Sequence, residues 1–101
     1  MATTTIARPW SGGDCAAGQI TSGTCATLGT TNFPVSFGKE FANIPVVVAT
    51  VYQKGTLENF LHVNRVLNVT KTGCTIQVYN NASSNRDLDS DRCIAWVAVD
   101  S

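Results

Sequence analysis

The sequence has few charged residues and no long hydrophobic run. Only 14% of its 101 residues are charged, and seven basic and seven acidic side chains cancel. Proteins that bind nucleic acid or anionic membranes usually carry a basic excess, so we expect neither partner. No run approaches the roughly 20 apolar residues of a transmembrane helix, and the N-terminus has no apolar segment typical of a signal peptide. The sequence therefore predicts no membrane insertion.

Residues that commonly catalyse reactions or bind metals are sparse. His62 is the one histidine, and no G-x-S-x-G nucleophile motif accompanies it. The cysteines Cys15, Cys25, Cys74 and Cys93 form no C-x-x-C pair, so no zinc site is predicted. They could form disulfides in a secreted protein or remain buried thiols, and the sequence leaves both open. We expect no enzyme, no cofactor and no metal site.

The most polar stretch of the chain, residues 80–91, contains three alternating aspartates. Their D-x-D-x-D spacing resembles the start of an EF-hand calcium loop, but the glycine at position six and the glutamate at position twelve are missing. Arginines flank the acids on both sides and can neutralise them. The sequence thus favours a solvated loop with local ion pairs over a calcium site.

β-Branched residues with period two dominate, and apolar residues nowhere follow the i, i+3, i+4, i+7 spacing of a helix. This pattern predicts an all-β domain, a six-stranded antiparallel β-sandwich over residues 18–101 that follows an N-terminal segment, residues 1–17. Trp10 in that segment is expected either to offer an aromatic platform for a sugar or to cover a sheet edge.

The strands are bounded by Gly, Pro, Asn and Ser residues. We predict the first strand over residues 19–28, a turn over 29–32 and the second strand over 33–37. The run from Val46 to Tyr52 is the most hydrophobic segment, and we predict it to be a central strand with both faces covered. The last strand is predicted over residues 93–99.

The stretch from Asn59 to Tyr79 predicts a β-hairpin that supplies strands four and five. Its turn is expected at residues 71–73, with Gly73 taking a positive φ. Regular alternation places Arg65 on the otherwise apolar face of the first strand of this hairpin. An arginine in an apolar stripe must either pair with a carboxylate in a core or interface, or reach out to hold a ligand.

Several motifs, in this order, resemble the H-type lectin family, the sugar-binding domains of snail agglutinins and of discoidin C-termini. They cover roughly residues 33–99, about two thirds of the chain. The motifs are Val35-Ser36-Phe37, Phe41-Ala42-Asn43-Ile44-Pro45-Val46-Val47-Val48, Arg65-Val66-Leu67-Asn68-Val69-Thr70-Lys71-Thr72-Gly73 and Ile94-Ala95-Trp96-Val97-Ala98-Val99.

This resemblance implies a six-stranded sandwich that forms a trimer and binds galactose or N-acetylgalactosamine between neighbouring subunits. Arg65 lies on the strand that supplies a sugar-contacting arginine in the family. In an alternative alignment Leu61 occupies that position and Arg65 belongs to the trimer interface. Where the family has aromatic and histidine contacts after strand five, this chain has Asn80, Asn81 and Ala82.

We therefore expect an extracellular, carbohydrate-binding lectin, assembled as a homotrimer or a multiple of one, with cell-surface glycans as its partners. Side chains that can donate to and accept from sugar hydroxyls are the expected contacts. They are Arg65, His62, Asn64, Asn81, Asp87 and Asn32. The segment Gln19 to Thr24 also resembles bacteriophage tail-fibre tips and bacterial surface proteins. The alternative is thus an adhesive or structural trimer tip that binds its receptor through another surface.

Overall fold

The computed structural model describes residues 15–55 and 60–100, and these form strands joined by turns and loops. The strands are β1 (Cys15–Ile20), β2 (Thr24–Cys25), β3 (Gly29–Ser36), β4 (Val46–Gln53), β5 (Leu61–Leu67), β6 (Gly73–Asn80), β7 (Arg86–Asp87) and β8 (Arg92–Val99). The described residues include no helix, which confirms the prediction of an all-β chain, and none that could cross a membrane. Trp10, Asn59 and the N-terminal segment up to residue 14 lie outside the described residues.

The described residues form eight strands, whereas the sequence predicted six. The strands are arranged in three antiparallel sheets. One three-stranded sheet has the order β1-β8-β4, the other has the order β3-β6-β5, and β2 pairs with β7. The two short strands escaped prediction because two residues are too few to show alternation. β7 lies within the polar stretch that was predicted to be a loop.

The two three-stranded sheets contribute to one hydrophobic core. Ile76 and Val78 of β6 and Ile94 of β8 are completely buried. Trp96, also on β8, packs against Phe37, with ring centroids 5.7 Å apart. On β8 the alternate residues Ile94, Trp96 and Ala98 belong to the core, and Cys93 and Val99 of the same strand are also buried. Burial of these large side chains is the main source of stability for a domain of this size.

The predicted first strand is wrong in its extent. β1 ends at Ile20, and the backbone then adopts positive φ at Gly23 (126°) and at Leu28 (50°). Neither conformation fits an extended strand, so the strand predicted over residues 19–28 is divided into β1 and β2. Residues 29–32, predicted as a turn, instead begin β3 and pair with β6.

The prediction that residues 46–52 form a central strand is also wrong. Among the strands that the structure describes, β4 lies at the edge of its sheet and pairs only with β8. Val47, Ala49 and Val51 pack against the core, whereas Val46 is 54% exposed and Val48 is 65% exposed. The run is therefore apolar on both faces although only one face is buried. The other face forms an exposed apolar surface of the molecule.

In the β5–β6 connection, the residue with a positive φ is not the one predicted. Asn68, and not Gly73, has the positive φ, at 53°. The Thr70 hydroxyl accepts the backbone N–H groups of Thr72 (3.3 Å) and Gly73 (3.1 Å). A Cβ atom at Gly73 would overlap the Val35 carbonyl oxygen. Glycine is therefore required at position 73 by close approach of β3, and not by its dihedral angles.

The prediction that Arg65 lies on the apolar face of β5 is wrong, because a β-bulge interrupts the alternation. Val63 pairs with Val78 and Arg65 pairs with Gln77, so Asn64 is an extra residue on β5. The extra residue turns Arg65 outward and brings Val66 inward, where it packs against the core. Arg65 is exposed, so its charge needs no partner in the core.

The four cysteines are free thiols in this structure. Cys25, Cys74 and Cys93 are buried, and Cys15 is partly exposed at the start of β1. Burial raises the pKa of both Cys25 and Cys74, although the nearby Arg92 guanidinium partly offsets the effect at Cys25. Of the two alternatives that the sequence leaves open, disulfides or free thiols, this structure shows free thiols.

Candidate functional site

The outer surface of the β3-β6-β5 sheet carries a group of polar side chains. Register places Asn32, Gln77 and Arg65 side by side across the three strands, and Thr30, Tyr79 and His62 in the neighbouring row. The two rows are ~7 Å apart, because outward residues recur every second position along a strand. We call this surface the polar face and define it by Asn32, His62, Asn64, Arg65, Gln77 and Tyr79.

Side-chain amides connect the three strands of the polar face. The Asn64 side-chain nitrogen donates to the Gln77 oxygen at 2.5 Å, and the Gln77 nitrogen donates to the Asn32 oxygen at 3.1 Å. Each amide has two donor hydrogens and an oxygen with two acceptor positions, so this amide row retains both donors and acceptors for other groups. Such mixed capacity suits hydroxyl groups, which both donate and accept.

The bulge at Asn64 is what makes the amide row possible. Asn64 is an extra residue on β5 that lies beside Gln77 and next to Arg65. Asn64 and Arg65 are both exposed. In a regular strand, Asn64 and Arg65 would point to opposite faces. The bulge therefore brings two neighbouring residues of one strand to the same surface, as bulges commonly do near binding sites.

An aromatic ring lies beside the amide row. Tyr79 is 37% exposed and pairs with His62 on β5 and with Thr30 on β3. Its ring offers an apolar surface, and its hydroxyl offers a donor and an acceptor. The polar face thus combines an aromatic surface with amides and a guanidinium.

The structure brings together four of the six predicted contact residues. Arg65, His62, Asn64 and Asn32 all belong to the polar face. Asn81 lies just beyond the end of β6, where its backbone N–H donates to the Phe60 carbonyl oxygen at 2.9 Å. Its side chain is exposed at that end of the sheet.

Asp87 lies apart from the polar face, in the two-stranded β2–β7 sheet. The Thr24 hydroxyl donates to its carboxylate at 2.7 Å, and the Arg92 guanidinium donates to its carbonyl oxygen at 3.0 Å. Asp87 also lines an open depression of about 490 Å³ between residues 85 and 92. A single sugar contacted by both Asp87 and Arg65 is not supported by this arrangement.

Asp89, in the same stretch, has a local structural role. The Asp89 carboxylate accepts the backbone N–H groups of Arg92 and Asp91, both at 2.8 Å. These hydrogen bonds, with that to Arg92 contributing most, hold the pKa of Asp89 below its ordinary value. Within residues 15–55 and 60–100, no three His, Cys, Asp or Glu residues are arranged to hold a metal ion.

Sequence reasoning missed Gln77 and Tyr79. Both lie on β6, whose inward residues Cys74, Ile76 and Val78 are buried, so the odd-numbered residues point outward. Applying the same alternation to both strands of the hairpin would have identified them. No aromatic residue stands at positions 80–82, directly after β6, but Tyr79 supplies an aromatic ring within the strand.

The β1-β8-β4 sheet has a contrasting outer surface. Its outward residues include Ala17 of β1, Val97 of β8, and Val46, Val48 and Tyr52 of β4. We call this surface the apolar face and define it by these five residues. Val97 is 46% exposed and Tyr52 is 45% exposed. A shallow apolar depression of about 140 Å³ lies between β4 and β8. Contiguous exposed apolar surface of this kind commonly marks an interaction site.

The sequence matches no known protein-family model, and no curated protein matches it. The geometry of the two faces therefore carries the functional interpretation.

Proposed function

We propose that this chain is a carbohydrate-binding lectin for galactose- or N-acetylgalactosamine-type glycans, as its resemblance to H-type lectins implies. In this proposal it acts outside the cell and binds glycans without transforming them. The observation that carries the proposal is the polar face. There an arginine, an amide row and an exposed tyrosine lie within two neighbouring rows of one sheet.

The chemistry of the polar face matches the chemistry of a sugar. A pyranose ring has an apolar side that can stack on an aromatic ring such as that of Tyr79. Its hydroxyls can be bound by the amides of Asn32, Asn64 and Gln77, which retain both donors and acceptors. Arg65 adds a planar group of five N–H donors at one end of the row. We assign these contacts to the ligand and so place the site on the outer surface of the β3-β6-β5 sheet, whereas the resemblance to H-type lectins implies a cleft between neighbouring subunits.

The proposal includes a homotrimer of sandwich subunits, in which the apolar face is covered by neighbouring copies. None of the five residues that define this face is charged, so its burial requires no ion to lose its hydration. Covering Val46, Val48 and Val97 removes exposed apolar surface from water, which favours association. Three weak sugar sites held in one assembly would then gain avidity.

The alternative function is an adhesive or structural trimer tip whose receptor binds elsewhere. Both functions use the apolar face for assembly, so the polar face distinguishes them. The open depression beside Asp87 is the other surface that such a receptor could occupy.

A glycan array with the purified protein tests the proposal. We expect binding to galactose-type glycans and expect Tyr79→Ala to reduce it, because the variant loses the stacking surface. Leu28→Ala is the matched control, since Leu28 is 66% exposed and lies outside the polar face. An intact trimer that binds no glycan would favour the trimer tip, and equal binding by Tyr79→Ala and the wild type would exclude the polar face as the site.

A further inference from the structure

We infer that the polar face selects sugars that carry a negative charge, a carboxylate or a sulfate, over their neutral counterparts. This inference rests on the proposed function and deepens it, because it names the class of glycan. It starts from the distribution of charge on the β3-β6-β5 sheet and not from the resemblance to a lectin family.

The outward residues of the three strands, among those that the structure describes, include one arginine, one histidine and no carboxylate. Arg65 is the arginine and His62 is the histidine. The other outward positions are Thr30, Asn32, Pro34, Ser36, Asn64, Leu67, Gly73, Thr75, Gln77 and Tyr79. The whole chain has no net charge, yet among the described residues the outward positions of this sheet carry the positive charge of Arg65 and no carboxylate.

Arg65 is positioned to bind an anion on a ligand that already contacts the amide row. It pairs across the strands with Gln77, the central residue of that row. A guanidinium forms two parallel N–H···O bonds with a carboxylate or a sulfate, and such charge-assisted bonds are stronger than those to hydroxyls. A sugar hydroxyl at the same place would receive only a neutral hydrogen bond, so the acidic sugar gains more.

The exposure of Arg65 limits the size of this preference. Exposed ion pairs in water contribute roughly 1 kcal/mol, so we expect the acidic sugar to bind about fivefold more tightly than the neutral one. The preference should decrease with added salt, because exposed charges are screened. Binding through the amides and Tyr79 has no such dependence.

The test compares matched oligosaccharides by titration calorimetry. Galactose-terminated chains are compared with the same chains ending in galacturonate, and separately with chains ending in sulfated galactose, so the two arms distinguish carboxylate from sulfate. Arg65→Gln removes the charge from the polar face. Lys54→Gln removes the same charge from an exposed residue next to the β1-β8-β4 sheet and serves as the control.

We expect Arg65→Gln to abolish the preference for acidic sugars in at least one arm. Neutral galactose should bind this variant more weakly than it binds the wild type, because Arg65 is one of its proposed contacts, but the amides and Tyr79 should still hold it. Lys54→Gln should keep the preference. Equal binding of neutral and acidic sugars by the wild type would overturn the inference and leave the lectin proposal intact. Equal loss in both variants would also overturn it, because net charge and not the polar face would then set the preference. Binding of neither sugar would reject the lectin proposal itself.

Discussion

Asn80 shows how one polar side chain can hold two parts of this molecule together. It is completely buried, and its side-chain nitrogen donates to the carbonyl oxygens of Cys25 (3.0 Å) and Ser84 (3.2 Å). Its side-chain oxygen accepts the backbone N–H of Ala82 at 2.8 Å. Asn80 thus joins the end of β6 to β2 and to the loop that follows β6.

We predict that Asn80→Ala lowers the free energy of unfolding by about 3 kcal/mol, because two buried backbone groups and one partly buried backbone group lose their partner. Chemical denaturation followed by tryptophan fluorescence would measure the change. Asn81→Ala is the control, since Asn81 is exposed and its hydrogen bond to Phe60 uses only the backbone. Equal destabilisation by the two variants would show that the Asn80 hydrogen bonds are not the cause.

Arg65 shows the limit of sequence reasoning at the scale of a residue. Its identity as a candidate contact could be read from the sequence, and the structure places it on the polar face. Its direction could not be read, because a bulge depends on how β5 pairs with β6. One extra residue changes the face of every position that follows it.

Among the strands, β6 follows from alternation, and β3 does so from Phe33 onward, whereas its first four residues were predicted to form a turn. Core-facing residues of these strands include Phe33 and Ile76, and Asn32, Thr75 and Gln77 between them point outward. The short strands β2 and β7 do not follow from alternation, since their pairing joins residues more than 60 positions apart. Long-range pairing of two residues leaves no local pattern in the sequence.

The close approach of β3 and β6 at Gly73 gives a second prediction. Gly73→Ala should destabilise the fold by about 1–3 kcal/mol, because the added methyl group pushes against the Val35 carbonyl oxygen of the neighbouring strand. Thermal unfolding monitored by circular dichroism would measure the loss. Gly55→Ala, at a position with open space around it, should change stability little. A Gly73→Ala variant as stable as Gly55→Ala would contradict the predicted overlap.

At the scale of the whole molecule, the two outer surfaces differ in chemistry. The β3-β6-β5 sheet presents amides, Arg65 and Tyr79, whereas the β1-β8-β4 sheet presents mainly valine and alanine. This asymmetry explains why the run from Val46 to Tyr52 resembles a strand covered on both faces. One face of β4 packs on the core of its own subunit, and in our proposal the other packs on a neighbouring subunit.

We predict that Val48→Asp converts the proposed trimer to single chains of 10.7 kDa, because a carboxylate would have to be buried in an apolar contact. Analytical ultracentrifugation would measure the mass. Thr30→Asp places the same charge on the outer surface of the opposite sheet and should leave assembly unchanged. Since Val48 is 65% exposed, its replacement should not unfold the subunit. A trimer that persists in Val48→Asp would exclude the apolar face as the interface.

The all-β class follows from the sequence, and so do Arg65, His62, Asn64 and Asn32 as candidate contacts, which side-chain chemistry and the resemblance to lectins suggest together. These features depend on alternation and on side-chain chemistry, which are local. Strand pairing in the folded chain was needed to show that Asn64 and Arg65 share one surface, that Asp87 belongs to a different sheet, and that β4 is an edge strand among the described strands. The reason is physical: strand register, the bulge at Asn64 and the edge position of β4 are set by pairing between segments distant in the chain.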